Sequence, residues 1–350
     1  MSEPRKTAAE LLAAYDGPPL RIMEVCGTHT HEIFRLGIRK LLPQNVDLIS
    51  GPGCPVCVTQ VGFIDEALWL ADHGVTITTF GDLVRVPGTE RNLADARAQG
   101  GRVQVVYSPL DAVTYAREHP QEQVAFLSVG FETTVPAACL AVEQAQIQGI
   151  DNFSLLTANK TMPNAYQALK GSADVFLYPG HVHAITGTGI CEDLVAEGVS
   201  GVLAGFTAKE LVTALAVAVT KAREGAPFFV NAYPRVVRPE GTPAAVTLMN
   251  KVMEPCDAEW RGLGTIPQSG LKLREEYAGY DARLRHGVPA IEGHANPVCR
   301  CGDVLRGICK PSDCPLFGRV CTPQHPVGAC MVSGEGACSA YYQYDGGNLL

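Results

Sequence analysis

From residue 20 to about 230 the chain alternates short β-branched apolar runs with stretches in which apolar residues recur at helical spacing, the pattern of parallel α/β units. Strands are predicted at 21–25, 46–49, 76–79, 103–106, 124–129, 154–157, 175–177 and 201–203. Helices are predicted at 31–42, 61–73, 92–99, 110–118, 135–148, 164–170, 191–197 and 209–223. One sheet of eight strands or two of four satisfy this alternation, and the polar link at His119, Pro120 and Gln121 favours two. The expected fold class is α/β: two doubly wound parallel-sheet domains, 1–122 and 123–235, facing a cleft, followed by a cysteine-rich domain over 236–350. No residue-level repeat accompanies the topological one.

Nearly all the unusual polar residues follow a strand directly. Cys26-Gly27-Thr28-His29-Thr30-His31 comes after the first strand and Gly51-Pro52-Gly53-Cys54-Pro55-Val56-Cys57 after the second. Phe80-Gly81-Asp82, with Arg85 close behind, follows the third. Later strands lead into Gly130-Phe131-Glu132-Thr133-Thr134, Asn159-Lys160-Thr161-Met162-Pro163 and Pro179-Gly180-His181-Val182-His183. Ligand crevices of open parallel sheets lie beyond the carboxyl ends of the strands, so these loops are expected to converge.

Cys54 and Cys57 form a C-x-x-C pair at a strand-to-helix junction, where unpaired N–H groups favour a thiolate, and the Gly-Pro-Gly lead-in forces a tight loop. A reactive or metal-binding pair is expected. Cys26 starts a helix in the same way, with His29 and His31 near enough to orient or deprotonate it. His181 and His183 would share one side of an extended chain, which suits a ligand site and a structural joint equally. Glu132 reads as a helix cap before it reads as an acid. Asp82 and Arg85 read as a local ion pair, and Cys139, Cys191 and Cys256 as inert core. No P-loop occurs.

Charge and composition then exclude whole classes. With 28 Lys+Arg against 36 Asp+Glu and no basic stretch, the chain is not expected to bind nucleic acid. No apolar run approaches the ~20 residues that span a bilayer, and the first residues lack a secretory pattern, so a cytoplasmic protein is expected. In that reducing compartment thirteen cysteines point to metal or redox chemistry before disulfides. Seven of them, Cys299, Cys301, Cys309, Cys314, Cys321, Cys330 and Cys338, crowd into a Gly- and Pro-rich tail with no apolar period, where bound metal would supply the missing stability. A [4Fe–4S] cluster fits best, since it needs four thiolates on loops that approach closely. Structural zinc stays open, although paired C-x₂₋₄-C knuckles are missing. Cys299 and Cys301 stand too close to serve one cluster together, which frees one thiol for exchange.

The motifs CGTHTH, GPGCPVC, TFGD with RVPG, GFETT, GHVH and the tail CPLFG-x-x-CTP-x-x-PVG-x-CMVS-x-EG-x-C-x-AYY together resemble the HypD family of hydrogenase maturation factors. The resemblance runs over essentially the whole chain, with Cys309 outside the pattern. It implies a scaffold on which, with the chaperone HypC, the Fe(CN)2CO group of [NiFe]-hydrogenases is built. HypE with HypF would deliver cyanide, and the hydrogenase large subunit would receive the product. It implies cleft cysteines Cys26, Cys54 and Cys57 that hold iron and do redox work beside His29 and His31. It also implies a [4Fe–4S] cluster, here assigned to Cys299, Cys314, Cys321 and Cys338, next to a dithiol, Cys301 with Cys330. Rival readings are a zinc-stabilised docking scaffold and a stand-alone thiol–disulfide reductase.

Overall fold

The computed structural model describes residues 6–345. All eight predicted strands form, with ends within two residues of those expected: β1 Leu20–Glu24, β2 Val46–Ser50, β3 Thr76–Thr79, β4 Val103–Val105, β5 Val124–Ser128, β6 Phe153–Thr157, β7 Val175–Pro179 and β8 Gly201–Ala204. Three more appear: β9 Phe229–Asn231, β10 Met253–Trp260 and β11 Gly264–Leu273. β5, β6 and β7 are buried along their whole length, as parallel strands covered on both faces must be.

The strands sort into two parallel sheets and one antiparallel hairpin. The first sheet has the order β2-β1-β7-β8-β9, the second β4-β3-β5-β6, and β10 pairs with β11. This corrects the expected partition. β3 pairs with β5 across the His119–Gln121 link, and β1 pairs with β7 in the register Ile22↔Val175. The first lobe is therefore discontinuous, with the whole second sheet inserted between β2 and β7. A polar, proline-containing loop marks an exposed turn, and nothing local tells whether the next strand joins the same sheet.

The expected boundary at 236 also moves. The helix Pro243–Val252 packs on the helix Val135–Gln148, and Met249, Val252, Met253, Leu271 and Leu273 share a core with the second sheet. Arg283 reaches from its helix to Glu66, with guanidinium contacts of 2.7–3.1 Å, and to the Thr157 carbonyl at 3.0 Å. Residues from 243 to about 288 thus pack structurally with the second lobe, and the cysteine-rich unit follows. Among the described residues no helix is long and apolar enough to cross a membrane.

In each sheet the chain reverses its direction of travel beside the first-formed strand, between β1 and β7 in one and between β3 and β5 in the other. Loops leaving those strands border the crevices that such switch points create. They meet: Cys54, Cys57 and Val58 from the first lobe share one buried cluster with Phe131 and Met162 from the second, and with Cys301, Cys330 and Cys338 from the tail.

Candidate functional site

Cys26 lies two residues beyond β1 and caps the helix Gly27–Arg35 from an extended backbone, φ −149°. The Thr28 and His29 N–H groups face its sulfur, yet burial dominates and pushes the thiol up to about 12. The strand before it carries a fully buried carboxyl. Glu24 accepts from the Thr30 hydroxyl at 2.6 Å and from the Cys26 N–H at 3.4 Å, and burial raises it to about 8. It ties the first helical turn back to the strand end.

The loop after β2 lies directly against Cys26. The Gly27 N–H donates to the Gly53 carbonyl at 2.8 Å, and a Cβ on Gly53 would stand 2.0 Å from the Cys26 nitrogen. The next residue, Cys54, caps the single-turn helix Pro55–Val58, its sulfur accepting from the Cys57 N–H at 3.3 Å. Cys57 is wholly buried, and burial together with contacts to Cys330 and Cys54 raises its thiol far above the ordinary value.

The histidines divide. His29 is wholly buried, donates from Nε2 to the Gly205 carbonyl at 3.1 Å and leaves Nδ1 buried without a partner; burial lowers it to about 4. Its aromatic neighbour Phe206 lies between it and His181, with ring centroids 4.8 Å and 3.7 Å away. His31 donates from Nδ1 to the Gly334 carbonyl at 3.1 Å and meets the Tyr344 hydroxyl at 3.4 Å. That makes it a strut to the tail. The Pro-Gly lead into His181 and His183 starts a helix, Gly180–Thr186, so the two rings do not share a side. His181 is exposed; His183 is buried, donates to the Gly187 carbonyl at 2.9 Å and accepts from the Tyr166 hydroxyl at 3.1 Å, the role of a structural joint.

The tail brings six sulfurs around one cavity, those of Cys299, Cys301, Cys314, Cys321, Cys330 and Cys338, closed by Leu316, Phe317, Gly328 and Met331. Cys309 lies outside it, on the wall of a separate groove. The Cys301 and Cys330 sulfurs are 2.7 Å apart, and Cys330 shares one buried cluster with Cys57 and Cys338. The Val327 N–H points at the Cys321 sulfur at 3.3 Å. Burial pushes Cys299 up to about 12, and the neighbouring sulfurs add to it. A Cβ on Gly328 would stand 2.8 Å from the Cys299 sulfur, so only glycine lets the backbone come this close.

Sequence reasoning missed two residues here. Glu335 accepts from the Thr28 hydroxyl at 2.6 Å and packs on Gly27, which brings a carboxylate from the tail to the base of the Cys26 helix. It was visible only as a letter within the tail motif. Arg261, in the hairpin turn, takes the carbonyls that follow Cys57. Asp82 and Arg85 do not behave as the expected local pair: Arg85 donates to the Pro323 carbonyl in the tail at 2.8 Å. Cys139 and Cys191 are buried within helices, as expected of inert core residues.

Comparison with known proteins adds an independent line. The model of the HypD family, described as "Hydrogenase formation hypA family", matches residues 4–345. The hydrogenase maturation factor HypD of Azotobacter vinelandii is 42% identical over 354 residues, covering 97% of this chain and 93% of that protein. HypD of Escherichia coli K12 is 42% identical over 335 residues, covering 93% and 89%. HypD of Rhodobacter capsulatus is 41% identical over 351 residues, covering 97% and 93%.

Proposed function

Because the chain belongs to the HypD family of hydrogenase maturation factors, we propose that it is the scaffold on which Fe(CN)2CO is assembled for a [NiFe]-hydrogenase, with its cleft thiols holding the iron cargo and its tail thiols keeping them reduced. The partners this reading requires are a HypC-type chaperone, HypE with HypF as cyanide donor, and, downstream, the hydrogenase large subunit. Soft thiolates suit iron that carries strong-field diatomic ligands. Cys26, Cys54 and Cys57 supply them, and the unpartnered Nδ1 of His29 leaves an acceptor buried close by.

The tail fits a [4Fe–4S] cluster. Cys299, Cys314, Cys321 and Cys338 would hold it, with the Val327 N–H on the Cys321 sulfur as the kind of bond that tunes such a group. Six sulfurs line one cavity of the tail, more than the four that a tetrahedral zinc takes, which favours a cluster. When bound, the cluster supplies electrons singly, drawn from an external one-electron donor protein.

The observation that carries the redox part is the place of Cys330, whose sulfur stands 2.7 Å from that of Cys301 while the turn that holds it packs on the single-turn helix of Cys57. It permits a balanced exchange. The Cys330 thiolate attacks the Cys57 sulfur of a Cys54–Cys57 disulfide, and Cys54 leaves as a thiolate that takes up a proton. Cys301 then loses its proton and attacks Cys330 in the mixed disulfide, which releases Cys57 as a second thiolate that is protonated in turn, the two protons being those given up by Cys330 and Cys301. Two electrons and two protons reach the cleft, and Cys301–Cys330 becomes the disulfide. Burial of Cys57, and for Cys301 the hydrogen bond with Cys330 followed by burial, raise these thiols well above the ordinary value, which keeps them protonated at rest and limits loss to adventitious oxidants.

The test is Cys54→Ala, purified without oxygen. The variant is expected to keep about four iron and four sulfide per chain and its brown colour, and to abolish hydrogenase maturation. Full maturation by this variant removes Cys54 from the chemistry. Zinc with no sulfide in the parent protein removes the cluster and leaves a docking scaffold.

A further inference from the structure

Resting on the thiol relay just proposed, we infer that the turn of the β10–β11 hairpin, through Arg261 and Gly262, is the positioning device that holds the cleft dithiol in register with the tail dithiol.

The turn touches the carriers of both pairs. On one side the Arg261 N–H donates to the Val58 carbonyl at 2.9 Å, and its guanidinium donates twice to the Thr59 carbonyl, from Nε at 3.0 Å and from a terminal nitrogen at 2.7 Å. Those carbonyls immediately follow Cys57 at the end of a four-residue helix. One turn of helix has no stability of its own, so its end must be held by something outside it. On the other side Gly262 adopts φ +82° and packs backbone to backbone on Gly302, the residue after Cys301. A Cβ on Gly262 would stand 2.5 Å from the Gly302 Cα, and one on Gly302 2.9 Å from the Gly262 Cα.

The bracket is itself rigid. Trp260 is fully buried in the cluster that contains Cys54, Cys57, Cys301 and Cys330, and its indole donates to the Ser269 hydroxyl at 2.8 Å. The loop after β6 grips both strands: Lys160 Nζ donates to the Glu259 carbonyl at 2.8 Å, Thr161 N–H to the Ser269 carbonyl at 2.9 Å, and Leu271 N–H to the Asn159 carbonyl at 3.1 Å. The second lobe thus anchors a hairpin whose tip spans from the first lobe to the tail. Sulfur exchange needs an aligned approach, and misplacement by about 1 Å costs on the order of a hundredfold in rate.

The experiment uses the full chain carrying Cys54→Ser and Cys301→Ser, which leaves Cys57 and Cys330 as the exchange pair. Diamide drives the Cys57–Cys330 cross-link, and peptide mass spectrometry follows its rate. Adding Arg261→Ala is expected to slow the cross-link about tenfold or more, and Gly262→Ala to slow it as well. Arg261→Lys, which keeps one donor for the Thr59 carbonyl, should recover part of the rate at parental iron content. Equal rates in the Arg261→Ala protein and its parent overturn the inference. If Arg261→Ala fails to fold, Arg261→Lys decides: a slowed cross-link with iron content unchanged supports the role, and the parental rate refutes it. A parent that forms no cross-link overturns the relay itself, and this role with it.

Discussion

Replacing Gly53 by Ala tests whether the two cysteine loops are built against each other. The added Cβ would lie 2.0, 2.3 and 2.5 Å from the nitrogen, Cα and carbonyl carbon of Cys26. Ordinary carbon contacts begin near ~3.5 Å, so the two backbones must part by about 1 Å or more. All three atoms are backbone, and no rotamer change can relieve them, which places the cost at the upper end of overpacking, about 3 kcal/mol. Separation also stretches the Gly27–Gly53 hydrogen bond, worth roughly 1 kcal/mol. Urea unfolding followed by circular dichroism should show a loss of about 3–4 kcal/mol. Gly189→Ala is the matched control, because a Cβ there meets nothing within 4 Å. Maturation should fall in step with the misplacement of Cys26 relative to Cys54 and stay parental in the control. Unfolding midpoints and maturation in Gly53→Ala that match Gly189→Ala would refute the reasoning.

Two further substitutions probe buried polar groups. Burial holds the Glu132 carboxyl at about 7; Oε1 accepts from the Met162 N–H at 2.8 Å and Oε2 has no partner. The folded pKa is raised, so the unfolded chain ionises first as pH climbs, and stability falls between about pH 4.3 and pH 7. Glu132→Gln removes this loss and should gain about 2 kcal/mol more over the parent at pH 8 than at pH 5.5, measured by urea titration at both; a pH-independent difference counts against a neutral carboxyl. Trp260→Phe removes the indole N–H that meets Ser269 and should cost about 1–3 kcal/mol, whereas an unchanged melting temperature would mean that the hairpin is not anchored there.

The strands were legible because they are short apolar runs buried on both faces, a property that each run carries in its own residues. Their assignment to sheets was not, since the pairing of β1 with β7 joins residues about 150 positions apart and leaves no local mark. The hairpin escaped notice for a different reason. Pro255 interrupts β10, a register shift falls between Cys256 and Ala258, and Pro267 and Gly270 break the alternation of β11. In the site, the cysteines announced themselves through type and spacing. Glu335 and Arg261 are ordinary charged residues whose meaning comes from contacts about 307 and 202 positions away along the chain. His181 and His183 part company because a Pro-Gly step can start a helix as readily as an extended loop, and His183 takes the structural role that its sequence leaves open.

The interrupted first lobe sets the order in which the molecule can become competent. A nascent chain displays Cys26, Cys54 and Cys57 early, but β1 has no neighbour on its inner side until β7 is made, and the turn that packs on the Cys57 helix arrives only with Cys330. The cleft thiols therefore precede the walls that enclose them. Such long-range closure is slow. Chains that stop short of Cys330 lack one wall of the site, so its assembly waits on the tail without any separate checkpoint.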